Sequence, residues 1–205
     1  MSSQKYDYFL ILDFEATCID NKGEKFRNEI IEFPIVVLDP NTGEIVSEFR
    51  EYVKPILNRK LSAFCTSLTG IQQDTVDTAE EFPTVYQNMK CFLKTIHHEN
   101  QLKNIVFVTC GDWDLQHMLP SQFEISGMTE KIPTYFRKWI DIKVPFEKTF
   151  PNVTRKDCSM VGMLNYLNLN LLGRHHSGLD DSRNTARIVY ELIKVGTILD
   201  ITSSS

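Results

Sequence analysis

The sequence contains no C-x-x-C pair, and its five cysteines (Cys18, Cys65, Cys91, Cys110 and Cys158) are an odd number. Neither a disulfide framework nor a zinc knuckle is suggested, and reduced thiols are expected. No apolar run approaches the ~18 residues of a membrane span. The run that follows the polar opening MSSQKYDY breaks at Asp13, so no signal peptide is expected. Together these absences predict an intracellular protein, cytoplasmic or nuclear, with no membrane association. Positive charge is scarce as well: 22 Lys and Arg stand against 27 Asp and Glu, a net charge of −5. That argues against a broad basic surface for wrapping duplex DNA, but leaves room for a small site that binds phosphates through metal ions. Repeats, linkers and low-complexity tracts are missing, apart from a tail, ITSSS, expected to fray. With 205 residues, 42% of them hydrophobic and 24% charged, one domain over 1–205 is the expectation.

Strand patterns come first: 6–14, 29–38 and 44–53, the last two joined by the turn residues DPNTG. A short helix is predicted near 61–68. Over 82–96, Val85, Met89, Phe92, Leu93 and Ile96 recur at helical spacing. The continuously apolar NIVFVTC (104–110) reads as a strand covered on both faces. A helix from about Asp112, an aromatic-rich middle (Tyr135, Phe136, Trp139), a helix near 159–167 and a last helix from about Asp180 to Val195 follow. This order predicts an α/β fold, a mixed sheet with helices on both faces. Sites in such sheets form at the carboxyl ends of parallel strands, where Asp13 and Asp114 fall.

Acids interrupt the apolar pattern in three places. The stretch FLILDFEA ends in Asp13 and Glu15, which share one face of a strand with Cα atoms roughly 6.6 Å apart. Either the strand runs out into a solvated loop, or two repelling carboxylates share a cation. In TCGDWDLQHML, Asp112 suits an N-cap, which leaves Asp114 unexplained by capping. In the helix after GRHHSG, Thr185, Ile188 and Leu192 form an inner stripe; Asp181 lies on it and Asp180 faces water. His176 stands five residues before Asp181 in a glycine-bounded loop, where a lone histidine is ordinarily just solvated. Beside these acids it is a candidate base. Oxygen ligands without a Cys or His cluster suit Mg²⁺ or Mn²⁺, and two such ions are the usual arrangement for in-line phosphoryl chemistry.

The motifs Asp13-x-Glu15, Asp114 and His176-x4-Asp181 resemble the DEDDh group of 3′→5′ exonucleases. LDFEATC, EIIEFPIVVL, FCTSLTGI, VTCGDWDL, YFRKWIDIK and HHSGLDDSRNTARI are similar, more closely, to the histone-mRNA 3′-end exonuclease family (enhanced-RNAi exoribonucleases), most of all to its prion-protein-interacting branch. The likeness covers about residues 6–198. It implies an RNase H-like, DnaQ-like fold with a mixed five-stranded sheet. It also implies that Asp13, Glu15, Asp114 and Asp181 ligate two divalent cations, Mg²⁺ or Mn²⁺, and that the catalytic residues are Glu15 and His176, the latter as general base. Phe64, Leu68 and Trp113 would contact the terminal base, and backbone around Phe14 and Ala16 the 3′ end. An aromatic plane and an apolar wedge hold any base by its face, although Phe64 and Leu68 also read as core residues of an amphipathic turn. Two departures from the family are expected: these 205 residues leave no room for its SAP-type RNA-binding segment, and His175 adjoins His176.

The implied activity is metal-dependent 3′→5′ trimming of single-stranded RNA ends to nucleoside 5′-monophosphates, with any further targeting supplied by a protein or RNA-targeting partner in trans. A DNA exonuclease of the same fold is the rival within this chemistry. A binding module that merely keeps the fold is the rival outside it, and five competent residues at the five catalytic positions weigh against it.

Overall fold

The structure is a computed structural model that describes residues 3–20, 25–100 and 104–205; the remaining residues of the expected 1–205 domain lie outside the described ones. In chain order the elements are β1 (Tyr8–Ile11), β2 (Glu15–Ala16), β3 (Ile30–Leu38), β4 (Ile45–Lys54), α1 (Ala63–Thr69), α2 (Gln73–Asp77), β5 (Glu80–Glu81) and α3 (Phe82–Asn100). Then come β6 (Ile105–Thr109), a π-helical segment (Asp114–Met118), α4 (Leu119–Ile125), a 3-10 turn (Thr134–Phe136), β7 (Lys138–Asp141), α5 (Lys143–Thr149), α6 (Met160–Tyr166), α7 (Gly178–Lys194) and β8 (Ser203–Ser204).

The sheet runs β5-β4-β3-β1-β6-β7-β8, with β2 added to β3. Its five strands of four or more residues, β4, β3, β1, β6 and β7, form the expected mixed sheet; β2, β5 and β8 add two residues each. The β3–β4 hairpin turns at DPNTG, where Asp39 Oδ1 accepts the Asn41 N–H and the carbonyl of Asp39 accepts that of Gly43.

Alternation along FLILDFEA sorts its side chains between two cores. Leu10, Leu12 and Phe14 join Phe33, Val85, Tyr86 and Phe123 beneath α3 and α4. Phe9 and Ile11 join Val36, Val108 and Ile140 beneath α5, α6 and α7. Continued past Ile11, the same period aims Asp13 and Glu15 at the α7 side. The expected strand 6–14 is interrupted, because the β1–β3 register sets Asp13 opposite Pro34, which has no N–H to give the ladder. Pairing resumes at Glu15, opposite Glu32.

Three expectations are corrected. The aromatic-rich middle contains β7, parallel to β6, with Trp139 fully buried. The tail is tied down: Ser203 and Ser204 pair with β7, and the Thr202 hydroxyl accepts the Asp141 N–H at 2.7 Å. Asp112 stands at the N-cap position, its carbonyl accepting the Gln116 N–H, but does not cap with its side chain; its Oδ1 instead accepts the Trp139 indole N–H at 2.9 Å.

Candidate active site

Two elements bring the acids together. The β1–β2 segment supplies Asp13 and Glu15, and α7, packed against β3 and β1, supplies Asp181 from its first turn. One carboxylate oxygen from each lies within 4.8 Å of the others. The close approach requires Gly178, where a Cβ would fall 2.4 Å from the Asp13 carbonyl oxygen. Asp114, from the π-helical segment, stands beside this trio and ties itself to it by accepting the Phe14 N–H at 2.9 Å. The Phe14 N–H is thereby committed within the protein, and its ring packs edge-on against Phe33.

Burial raises the pKa of each of these acids, and mutual repulsion adds to it at Asp13 and Glu15. Burial first, then the neighbouring Asp114, Glu15 and Asp181, push Asp13 well above the usual carboxylate range. Burial and the adjacent Glu32 and Asp181 push Glu15 up to about 8. Asp114 is raised by burial to about 7, against the pull of the Phe14 N–H and of Lys143. Asp181 is raised by burial to about 6, against the His176 N–H and His175. Asp181 is only 4% exposed, and its Oδ1 has no hydrogen-bond partner among the described residues. A buried carboxylate oxygen left unpaired costs about 1–3 kcal/mol or more. The all-oxygen donor set therefore fits a hard divalent cation.

Asp181 Oδ2 accepts the His176 N–H at 2.8 Å and lies 3.9 Å from His175 Nε2. His176 adopts φ 64°, and the two imidazoles stack with centroids 3.8 Å apart. Both rings come within reach of Asp181, so sequence spacing alone does not separate them. Burial, with His175 and Arg174 adding to it, lowers the His176 pKa below its ordinary 6.5. The loop is pinned to α1 by the Arg174 guanidinium, which donates to the carbonyls of Ser67 (2.7 Å) and Leu68 (3.2 Å). Asp180 is half-buried rather than facing open water: it accepts the Arg174 N–H and a bond from Arg183.

Phe64 is 38% exposed and Trp113 44%, with Leu68 half-buried, so the reading of Phe64 and Leu68 as core side chains does not hold. Cys65 packs α1 against the strand by donating its thiol to the Ala16 carbonyl at 3.7 Å, which sets Phe64 and Leu68 beside β2. Trp113 borders a cleft of about 190 Å³ with Phe26, Arg27 and His117.

Sequence reasoning missed Glu32 and Arg50. Glu32, fully buried, accepts the first N–H groups of α7, Gly178 on Oε2 (3.1 Å) and Leu179 on Oε1 (3.2 Å), and Arg50 Nε reaches the same Oε1 at 2.8 Å. It caps the helix that carries Asp181, from 146 residues away. An acid inside the otherwise apolar EIIEFPIVVL was the available signal.

A mixed sheet bearing this acid group at the carboxyl end of its central strand, with histidines alongside, defines a nuclease of the RNase H-like fold. The chain belongs to the RNase T exonuclease family, whose pattern it matches over residues 10–189. It is 41% identical over 196 residues to 3'-5' exoribonuclease 1 of Homo sapiens, covering 96% of this chain and 55% of that protein. It is 40% identical over 200 residues to ERI1 exoribonuclease 3 of Homo sapiens, covering 98% and 58%. The chain thus spans a little over half the length of these relatives. Among solved structures, the nuclease domain of 3'hExo, a DEDDh family member bound to rAMP, superposes with a TM-score of 0.91 at 39% identity, covering 99% of this chain and all of that one. Membership of the DEDDh exonucleases carries divalent-metal dependence with it.

Proposed function

We propose that this chain is a 3′→5′ exoribonuclease that shortens single-stranded RNA ends, releasing nucleoside 5′-monophosphates. The observation that carries the reading is the convergence of Asp13, Glu15 and Asp181, the last with a buried, unpartnered carboxylate oxygen and with the His176 backbone N–H on its other oxygen. Asp13, Glu15, Asp114 and Asp181 would hold Mg²⁺ or Mn²⁺. When bound, the cations supply charge stabilisation for the phosphoryl transition state and a more acidic water. His176, kept neutral by its lowered pKa, accepts the proton of the attacking water. Phe64, Leu68 and Trp113 hold the terminal base by its faces, without reading its identity.

RNA rather than DNA is favoured by the names of the two human relatives above, both called exoribonucleases. Assignment to the prion-protein-interacting branch rests on the motif set, since identities of 40% and 41% to two branches do not order them. A partner in trans would supply targeting to a particular RNA. The test is digestion of a 5′-labelled RNA and the matching DNA with Mg²⁺, with Mn²⁺ and with chelator. Stepwise shortening of the RNA, abolished by chelator, is expected. Internal cutting, or equal rates on DNA, would overturn the assignment.

A further inference from the structure

The parallel strands β1, β6 and β7 end level with one another: Ile11 pairs with Val108, and Val108 with Ile140. Hydrogen bonds from Leu12 N to the Val108 carbonyl (3.0 Å) and from Ile142 N to the Thr109 carbonyl (2.9 Å) carry the alignment one residue further. Asp13, the Gly111–Asp114 segment and Lys143 therefore leave the sheet along one edge. With strands about 4.8 Å apart, β7 lies roughly 10 Å from β1. A lysine stem covers more than half of that distance.

Lys143 is aimed back toward β6. A Cβ on Gly111 (φ +107°) would lie 3.0 Å from the Lys143 Nζ, so the ammonium rests directly over that glycine. Asp141 Oδ1 fixes both residues by accepting the N–H of Gly111 at 2.9 Å and of Lys143 at 3.0 Å. The positive charge opposes the raised pKa of Asp114 and of Asp141. Yet Lys143 is half-buried, and its Nζ forms no hydrogen bond and no ion pair within 4.0 Å with a described residue. Other cations near the site are engaged: Arg50 with Glu32, Arg174 with two carbonyls, Arg183 with Glu48 and Asp180.

In-line displacement puts the attacking water and the leaving oxygen on opposite sides of the phosphorus. The histidines and Asp181 belong to the α7 flank, so the leaving 3′-oxygen, and the nucleotide that carries it, belong to the Asp114 flank beside Lys143. We propose that the Lys143 ammonium binds the phosphodiester immediately upstream of the one that is cleaved. This rests on the exoribonuclease reading. It makes Lys143 a substrate-positioning residue for chains of at least two phosphates.

The experiment compares the dinucleotides ApA, with one phosphate, and pApA, whose 5′-phosphate occupies the upstream position, both with Mg²⁺. Wild type should prefer pApA by about tenfold in kcat/KM, as for loss of one charge-assisted contact. In Lys143→Ala the preference should fall to about one, and Lys143→Arg should keep most of it. Each preference is measured within a single variant, so a partly unfolded preparation does not alter it. An unchanged preference in Lys143→Ala, or none in wild type, overturns the proposal. Failure of wild type to shorten ApA, pApA and a longer RNA alike would instead sink the exoribonuclease reading.

Discussion

At the scale of single residues, His176 is the sharpest test. Its positive φ suits Asn better than Ala, so His176→Asn removes the base with the least disturbance to the loop. That variant should lose most turnover while still binding RNA, and His175→Ala should lose much less; the reverse ranking in single-turnover assays would show that His175 is the base. Because a general base must be neutral and burial lowers the His176 pKa, activity measured at saturating Mg²⁺, where the acids hold metal rather than protons, should persist to a pH below 6.5 before its acid limb falls. Asp112 tests a different point. With its carboxylate on the Trp139 indole, Asp112→Ala should cost about 1 kcal/mol in urea unfolding, whereas Asp112→Asn, which keeps an acceptor, should cost less. The residues that obey a local period were legible in sequence: Asp13 and Glu15 by strand alternation, Asp181 by its helix face. Glu32, Arg50 and Lys143 were not, because each matters through a partner distant in the chain or through a neighbouring strand's end, and no period reports that.

At the scale of elements, the long ones announce themselves, and the short ones do not. Helices α3 and α7, and strands β3 and β4, repeat their pattern over enough residues to be read. The four residues of β7, KWID, are too few to show alternation, and β2, β5 and β8 have two each. Helix α7 shows what this docking does for the site. Its Glu32 cap and the contact of Gly178 with Asp13 set Asp181 against Glu15, so the helix is part of the chemistry as much as of the core. Ala is a better helix former than Gly, but at position 178 its Cβ collides with the Asp13 carbonyl. The helix end must shift, and an ångström of displacement costs about a hundredfold in rate. Measured kcat should therefore collapse in Gly178→Ala even though circular dichroism shows helix retained.

At the scale of the whole molecule, the clustered acids make stability depend on pH. Unfolded carboxylates titrate near ~4, whereas Asp181, Asp114 and Glu15 stand at about 6, 7 and 8 in the fold. Between these limits the folded chain binds more protons than the unfolded one, so stability is highest at the acid end and is lost progressively as pH rises from about 4 to about 8. In chelator, Tm should fall across that window, and less so in Asp114→Asn. Mg²⁺ or Mn²⁺ should raise Tm most at pH 8, where cations compete with the fewest protons, and should do so much less in that variant. Thermal melts with and without metal decide both points. The last strand carries a different consequence. By pairing with Lys138 and Trp139, the serines of β8 occupy an edge of the sheet that would otherwise offer free backbone groups to a strand from another molecule. Removal of residues 203–205, which spares the Thr202 bond to Asp141, should therefore leave the acids untouched and turn a well-behaved solution into one that self-associates with rising concentration, visible by light scattering.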